Sequence, residues 1–253
     1  MQRGVASADP WESGGAGRSP ALELVDLHNH TDRSYDATNR LEDYERAHAA
    51  GRFHVLAITD HNRIDGAAWA RDRASFPVVV GIEIDTAEGE LIGLFVEDRI
   101  PPGLPARTTA ERIRDQGGLV YLPHPFYPFV RHPLRAPVRD GLADLGLVDI
   151  VEGRNGGPFT DRPDAAARRW AAGRGLALGA GSDAHDPVDI GRCVVAVPPA
   201  PLDPATLVDR LRLGQIVDRR RASPLQIATK ARHRFFAEIP RRVRGEPRRT
   251  RLP

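Results

Sequence analysis

Short apolar runs alternate with amphipathic stretches along most of the chain. The apolar runs are ALELVDL (21–27), FHVLAIT (53–59), FPVVVGIEI (76–84), GELIGLFV (89–96), GGLVYL (117–122), VDIVE (148–152), GLALGAG (175–181) and CVVAV (193–197). Their length and β-branched content suit strands buried on both faces. Between them, helical spacing is readable at roughly 38–50, where Leu41, Tyr44 and Ala47 or His48 share a face and Gly51 stops the helix, and again at 108–116, 161–173 and 204–213. Thr108 and Glu111 have capping-box spacing, and Gly117 and Gly118 end that helix. Proline-rich stretches at 101–105, 123–137 and 198–204 read as loops. Strands that alternate with helices predict an α/β fold, and there is no internal repeat.

A chain of 253 residues with 41% apolar and 28% charged residues can bury a core as one large domain. The expected organisation is a flexible leader over 1–20, one domain over 21–228 and an arginine-rich flexible tail over 229–253. No run reaches the roughly 18–20 apolar residues that span a bilayer. The first twenty residues lack the apolar centre of a secretion signal, so a cytoplasmic protein without a membrane partner is expected. The single cysteine, Cys193, excludes an internal disulfide and a cysteine-rich zinc knuckle. Any metal site must use carboxylates and the nine histidines. The net charge of +2 is uneven: nine basic and two acidic residues lie from Lys230 to Pro253, so the preceding 229 residues are net acidic.

The chemistry gathers where the apolar runs end. In an extended Asp26-Leu27-His28-Asn29-His30 segment, Asp26, His28 and His30 emerge on one face. The two imidazoles can share a metal or form a hydrogen-bonded pair, and Asp26 can orient a ring nitrogen or act as a ligand. The second run ends in Asp60-His61, the third in Glu83-Ile84-Asp85, the fifth in His124, the sixth in Glu152-Gly153-Arg154-Asn155 and the seventh in Asp183-Ala184-His185. Only the fourth and last runs lack such an ending. In a parallel barrel these ends converge on one mouth. His48, His54, His132 and His233 fall outside the pattern.

Asp-Leu-His-Asn-His-Thr, Thr-Asp-His-Asn, Gly-Ile-Glu-Ile, His-Pro and Gly-Ser-Asp-Ala-His, in this order over residues 26–185, resemble the motifs of the polymerase and histidinol phosphatase (PHP) superfamily. Glu-Gly-Arg-Asn and the later Ile-Gly-Arg are similar to its stand-alone metal-dependent phosphoesterases. The resemblance implies a distorted seven-stranded TIM-like βα barrel that holds two or three divalent ions: manganese, iron, zinc or magnesium. Carried over by position, His28, His30, Glu83 and Asp183 surround one ion, Glu83 bridges to a second bound by His124, and Asp36, His61 and His185 form a third site. Asp32 is the alternative to Asp36. This chain has Glu90 where the related phosphoesterases carry a histidine ligand ahead of Leu-x-Gly-Leu. A retained carboxylate ligand there favours manganese, magnesium or iron over zinc, whereas a Glu90 turned to solvent would leave the second site weak.

The function these residues imply is hydrolysis of a small phosphomonoester or a nucleotide-derived phosphodiester by metal-activated water. His61, His185 or Asp60 would protonate the leaving group. Arg33, Arg63, Arg131, Arg154 and Arg192, with Asn155, are candidates for holding the substrate. Two other readings remain: an exonuclease-like enzyme acting on nucleic acid ends, and a non-catalytic module that binds polyanions. The tail supports them weakly, because its arginines alternate with prolines and lack interleaved aromatics.

Overall fold

In the computed structural model, which describes residues 21–127, 133–157 and 161–219, all eight apolar runs form strands. They are β1 (Glu23–Asp26), β2 (Val55–Ile58), β3 (Val78–Asp85), β4 (Glu90–Leu94), β5 (Leu119–Leu122), β6 (Ile150–Asn155), β7 (Ala177–Gly181) and β8 (Cys193–Val197), joined by an additional β9 (Gln215–Asp218). The helices are α1 (Leu41–Ala49), α2 (Asp65–Arg71), α3 (Ala106–Asp115), α4 (Ala136–Asp144), α5 (Asp161–Ala172) and α6 (Pro204–Leu213). The leader and the tail lie outside the described residues. Among those described, no helix is long and apolar enough to cross a membrane.

The strands lie in the order β7-β6-β5-β4-β3-β2-β1-β8-β9. Strands β1 to β7 form the wall of a TIM-like barrel. The lower part of β1 pairs antiparallel with β8, and the chain just above it turns to β7. There the Leu27 N–H donates to the Ala180 carbonyl at 3.0 Å and the Asp183 N–H to the His28 carbonyl at 2.8 Å. One strand therefore serves two neighbours and draws the edges of the wall together.

Period-two alternation sorts the side chains. Val55, Ala57 and Val79 point into the barrel with Val25, Leu27, Ile92 and Tyr121. Leu56, Ile58, Val78 and Val80 point outward to Tyr44, Ala47, Ala67 and Ala70 of α1 and α2. Ile84, Leu91, Val120 and Val151 pack beneath α3 and α5. Burial of each such aliphatic chain contributes about 1.5–3 kcal/mol.

β4 runs antiparallel to both β3 and β5. Its first residue, Glu90, therefore lies at the end of the barrel where the parallel strands finish. This reversal explains why the fourth apolar run carries no ligand at its C-terminal end. β8 is also reversed relative to β1, which accounts for the other exception.

Besides β9, three elements depart from the sequence reading. α2 contains Gly66, a poor helix former, and glycine is required there because a Cβ would lie 2.1 Å from Asp60 Oδ2. α4 begins inside the expected proline-rich loop, and Pro137 is accommodated in its first turn. α3 starts at Ala106, so Thr108 and Glu111 lie inside the helix and form no capping box. Glu111 instead accepts a hydrogen bond from Arg107 Nε at 2.8 Å.

Candidate metal centre

The strand ends bring His28, His30, His61, Glu83, Glu90, His124, Asp183 and His185 into one mouth, and Asp36 reaches the same place from the loop after β1. Glu83 is central. Its Oε2 lies 3.3 Å from Nε2 of His28, Nε2 of His30 and Nδ1 of His61, and its Oε1 lies 3.2 Å from Nε2 of His124. Asp183 Oδ1 is 3.3 Å from His30 Nε2 and 3.4 Å from His185 Nδ1. Asp36 Oδ2 is 3.6 Å from His61 Nε2 and 3.3 Å from His185 Nε2. Asp32 is exposed and faces Arg40, so Asp36 is the acid of this loop that enters the cluster. Glu90 is buried, 3.8 Å from His124 Nε2, and does not turn to solvent.

The backbone is bent to make this convergence. His124 and Asp183 have φ of 31° and 47°, in a region that non-glycine residues rarely occupy and that is characteristic of functional sites. Tyr44 Oη and the Asn39 amide both donate to the His30 carbonyl, at 2.8 and 2.9 Å. The rings form a column: Tyr35 stacks on His61 at 5.0 Å, and His61 on His30 at 4.6 Å.

Proton occupancy follows from the mixture of acids and bases. Burial opposes charge on His28, but Glu83, Asp183 and Glu152 outweigh it and hold the ring well above its usual pKa. The same balance, dominated by Glu83, raises His61 to about 10 and His124 to about 9. His30 falls to about 4, because burial is reinforced by His185 and His61. Burial and the negative charge of Glu83 push Glu90 up to about 8. Burial works against ionised Glu83 and Asp183, yet the surrounding histidines keep both well below the carboxylate range.

The donor set fits divalent metal. Four groups of three side chains, His28–His30–Asp183, His28–Glu83–His124, His61–Glu83–Glu90 and His30–His61–His185, bring ligand atoms within 4.8 Å of one another. Nδ1 of His61, Nδ1 of His124 and Nε2 of His185 are buried and make no well-aligned hydrogen bond, although the first and last each lie 3.3 Å from a carboxylate oxygen. Buried polar atoms without a well-aligned hydrogen bond are uncommon and unfavourable.

Several of the other candidate side chains are held by partners of their own. Asp26 does not orient a histidine. It accepts hydrogen bonds from the Ser182 N–H and hydroxyl and ties β1 to β7. Asp60 accepts from the Thr31 N–H at 2.6 Å, the Thr31 hydroxyl at 2.7 Å and the Ser34 hydroxyl at 3.1 Å, so it braces the Asp36 loop. Arg154 is buried and bound to Asp161, Asp164 and Asp218. Arg192 is buried against Asp189 and the Gly156 carbonyl. Arg33 and Arg63 share Asp65 on the surface, and Arg131 lies outside the described residues. Asn155 contacts Glu152 at 2.9 Å and Asp183 at 3.4 Å. His48 and His54 make ordinary hydrogen bonds to the backbone, whereas His132 and His233 lie outside the described residues.

Sequence reasoning noted Glu152 as a strand-end acid but gave it no role. It accepts from His28 Nδ1 at 3.0 Å, on the side of that ring away from the metal cluster.

The family model for the PHP domain matches residues 26–120, and that for the PHP-associated segment matches residues 163–216. The chain belongs to the PHP superfamily. Two uncharacterized proteins of Methanocaldococcus jannaschii are similar to this PHP chain, one 46% identical over 101 residues (39% of the chain) and the other 34% identical over 142 residues (56% of the chain). The chain spans about half, 56%, of the length of each. Among solved structures, a two-domain protein of Bacteroides vulgatus, named as containing a predicted PHP-like metal-dependent phosphoesterase, matches with a TM-score of 0.59 at 16% identity over 81% of this chain and 70% of that one. The lesion-specific endonuclease of Pyrococcus furiosus matches with a TM-score of 0.55 at 15% identity over 77% of this chain and 57% of that one. These likenesses establish the barrel of the PHP fold.

Proposed function

We propose that this PHP protein is a phosphoesterase that hydrolyses a small phosphomonoester or a nucleotide-derived phosphodiester. The observation that carries this reading is the convergence of five imidazoles and four carboxylates in one mouth. His28, His30, Glu83 and Asp183 would hold one ion, Glu83, Glu90 and His124 a second, and Asp36, His61 and His185 a third. Bound ions would activate water and offset the charge that develops on a phosphoryl group.

The protein's own charges support an ion-based recognition of phosphate. Arg154 and Arg192 are each paired with a buried carboxylate, so phosphate recognition would rest on the bound ions. Four ligand carboxylates leave three divalent ions with a surplus of positive charge, which suits a phosphate dianion. His61 and His185 are less buried than His28, His30 and His124, so with the third position empty they would hold a proton for a leaving oxygen. The inward Glu90 favours an enzyme over a non-catalytic module, since it keeps the donor set of the second site complete.

The test is turnover by metal-reconstituted protein on a panel of phosphomonoesters, dinucleotides and single-stranded DNA. Release of phosphate or mononucleotide with manganese, abolished in His28→Ala/His30→Ala, is expected. Cleavage of DNA without turnover of small esters would favour the exonuclease-like reading. A folded, manganese-loaded protein inactive on the whole panel would overturn the assignment.

A further inference from the structure

Glu152 is saturated with donors. Its Oε1 accepts from His28 Nδ1 and from the Tyr121 hydroxyl, both at 3.0 Å, and its Oε2 accepts from the His124 backbone N–H at 2.7 Å and the Asn155 amide at 2.9 Å. A carboxylate offers about four lone-pair sites. All four are in use, so Glu152 has no acceptor capacity left for an ion.

These bonds reach both sides of the cluster. The bond to Nδ1 fixes the His28 tautomer and leaves Nε2 facing Glu83 and Asp183. The bond to the His124 N–H holds the turn that places this residue at positive φ, and thereby its ring beside Glu83 and Glu90. The Asn155 amide, anchored on Glu152, also reaches Asp183 at 3.4 Å. A bulge between Glu152 and Arg154 brings this about. Strict alternation would put Arg154 on the inner face with Glu152, whereas the extra residue sends Arg154 outward to α5 and returns Asn155 to the mouth.

We infer that Glu152 is a positioning residue that couples two metal positions, the one bounded by His28, His30 and Asp183 and the one bounded by Glu83, Glu90 and His124. The inference rests on the metal dependence of the proposed function but not on its substrate. Such supporting carboxylates typically change metal affinity by about 10–100-fold. The inference adds that a single one serves two sites, so its loss weakens both together.

Titration of the metal-free full chain with manganese alone, by calorimetry, tests it. Glu152→Gln keeps the size of the side chain but turns an amide N–H2 toward donors. With folding verified by circular dichroism, it is expected to bind more than one ion at least about tenfold more weakly than the wild type. Asn155→Ala, which removes the anchored amide, is expected to weaken binding less. Wild-type affinity in Glu152→Gln, or weakening confined to one ion, overturns the coupling. If Glu152→Gln does not fold, Asn155→Ala decides, and wild-type affinity there overturns the inference. Wild-type protein that binds manganese but turns over no ester would refute the phosphoesterase reading and leave this one standing.

Discussion

Oε1 of Glu83 lies 3.2 Å from Nε2 of His124, while its other oxygen is turned to His28, His30 and His61. The two oxygens of one β3 side chain thus face opposite halves of the cluster. Glu83→Gln preserves its shape and removes the charge. It should lose at least one bound ion by elemental analysis and at least about a hundredfold in turnover, since even supporting residues are worth about 10–100-fold. Full metal content in a folded Glu83→Gln would refute the bridging role.

Glu90 enters the mouth from the reversed strand β4. Glu90→Ala should retain fewer ions, and Glu90→His should restore them with a preference moved toward zinc, because imidazole is the softer ligand. Competition between manganese and zinc reads this directly. An unchanged preference would show that residue 90 contributes no ligand.

Arg154 is held by Asp164, Asp218 and Asp161. Arg154→Ala leaves buried Asp164 without its cation and should destabilise the fold by about 3–5 kcal/mol in urea denaturation. The KM of the surviving folded fraction should change little. A large KM rise at unchanged stability would return Arg154 to the substrate.

His61 at about 10 and His124 at about 9 are protonated in metal-free protein at neutral pH, because burial is outweighed by Glu83 and its acidic neighbours. Each ring must release its proton to serve as a ligand. Raised pKa values therefore oppose metal most strongly below pH 9, and manganese affinity should rise as pH goes from 7 toward 9. Calorimetry in buffers of different ionisation enthalpy should detect the released protons. An affinity that is flat with pH would contradict this.

Gly181 faces the cluster from β7. A Cβ there would sit 2.2 Å from His28 Cβ and 2.6 Å from Glu152 Oε1. Gly181→Ala should destabilise by about 1–3 kcal/mol and weaken manganese binding, because relief of the clash displaces a ligand. Wild-type melting and metal content would contradict the close approach.

The barrel and most of the side chains that converge in its mouth were legible because strand ends were marked by His, Asp and Glu after apolar runs. Local spacing could not show direction. Only pairing reveals that β4 runs backward and presents Glu90 from its start, or that a bulge at Gly153 exchanges the faces of Arg154 and Asn155. Asp26 and Asp60 share the strand-end position of the ligands, yet their partners are Ser182, Thr31 and Ser34, hydroxyl residues that carry no metal pattern. Asp60 holds in place the loop that delivers Asp36, a relation between segments 24 residues apart that composition does not reveal.

The seam where the chain after β1 meets β7 joins backbone at Leu27 and His28 to Ala180 and Asp183. Two of these four residues are candidate ligands, and His30 is tied to Ala184 just above. Parting of the barrel wall at this seam would separate His28 and His30 from Asp183, so breathing of the fold and release of an ion become a single motion. An ion held by His28, His30 and Asp183 would clasp the barrel's closure, and its residence time should track hydrogen exchange of the seam amides.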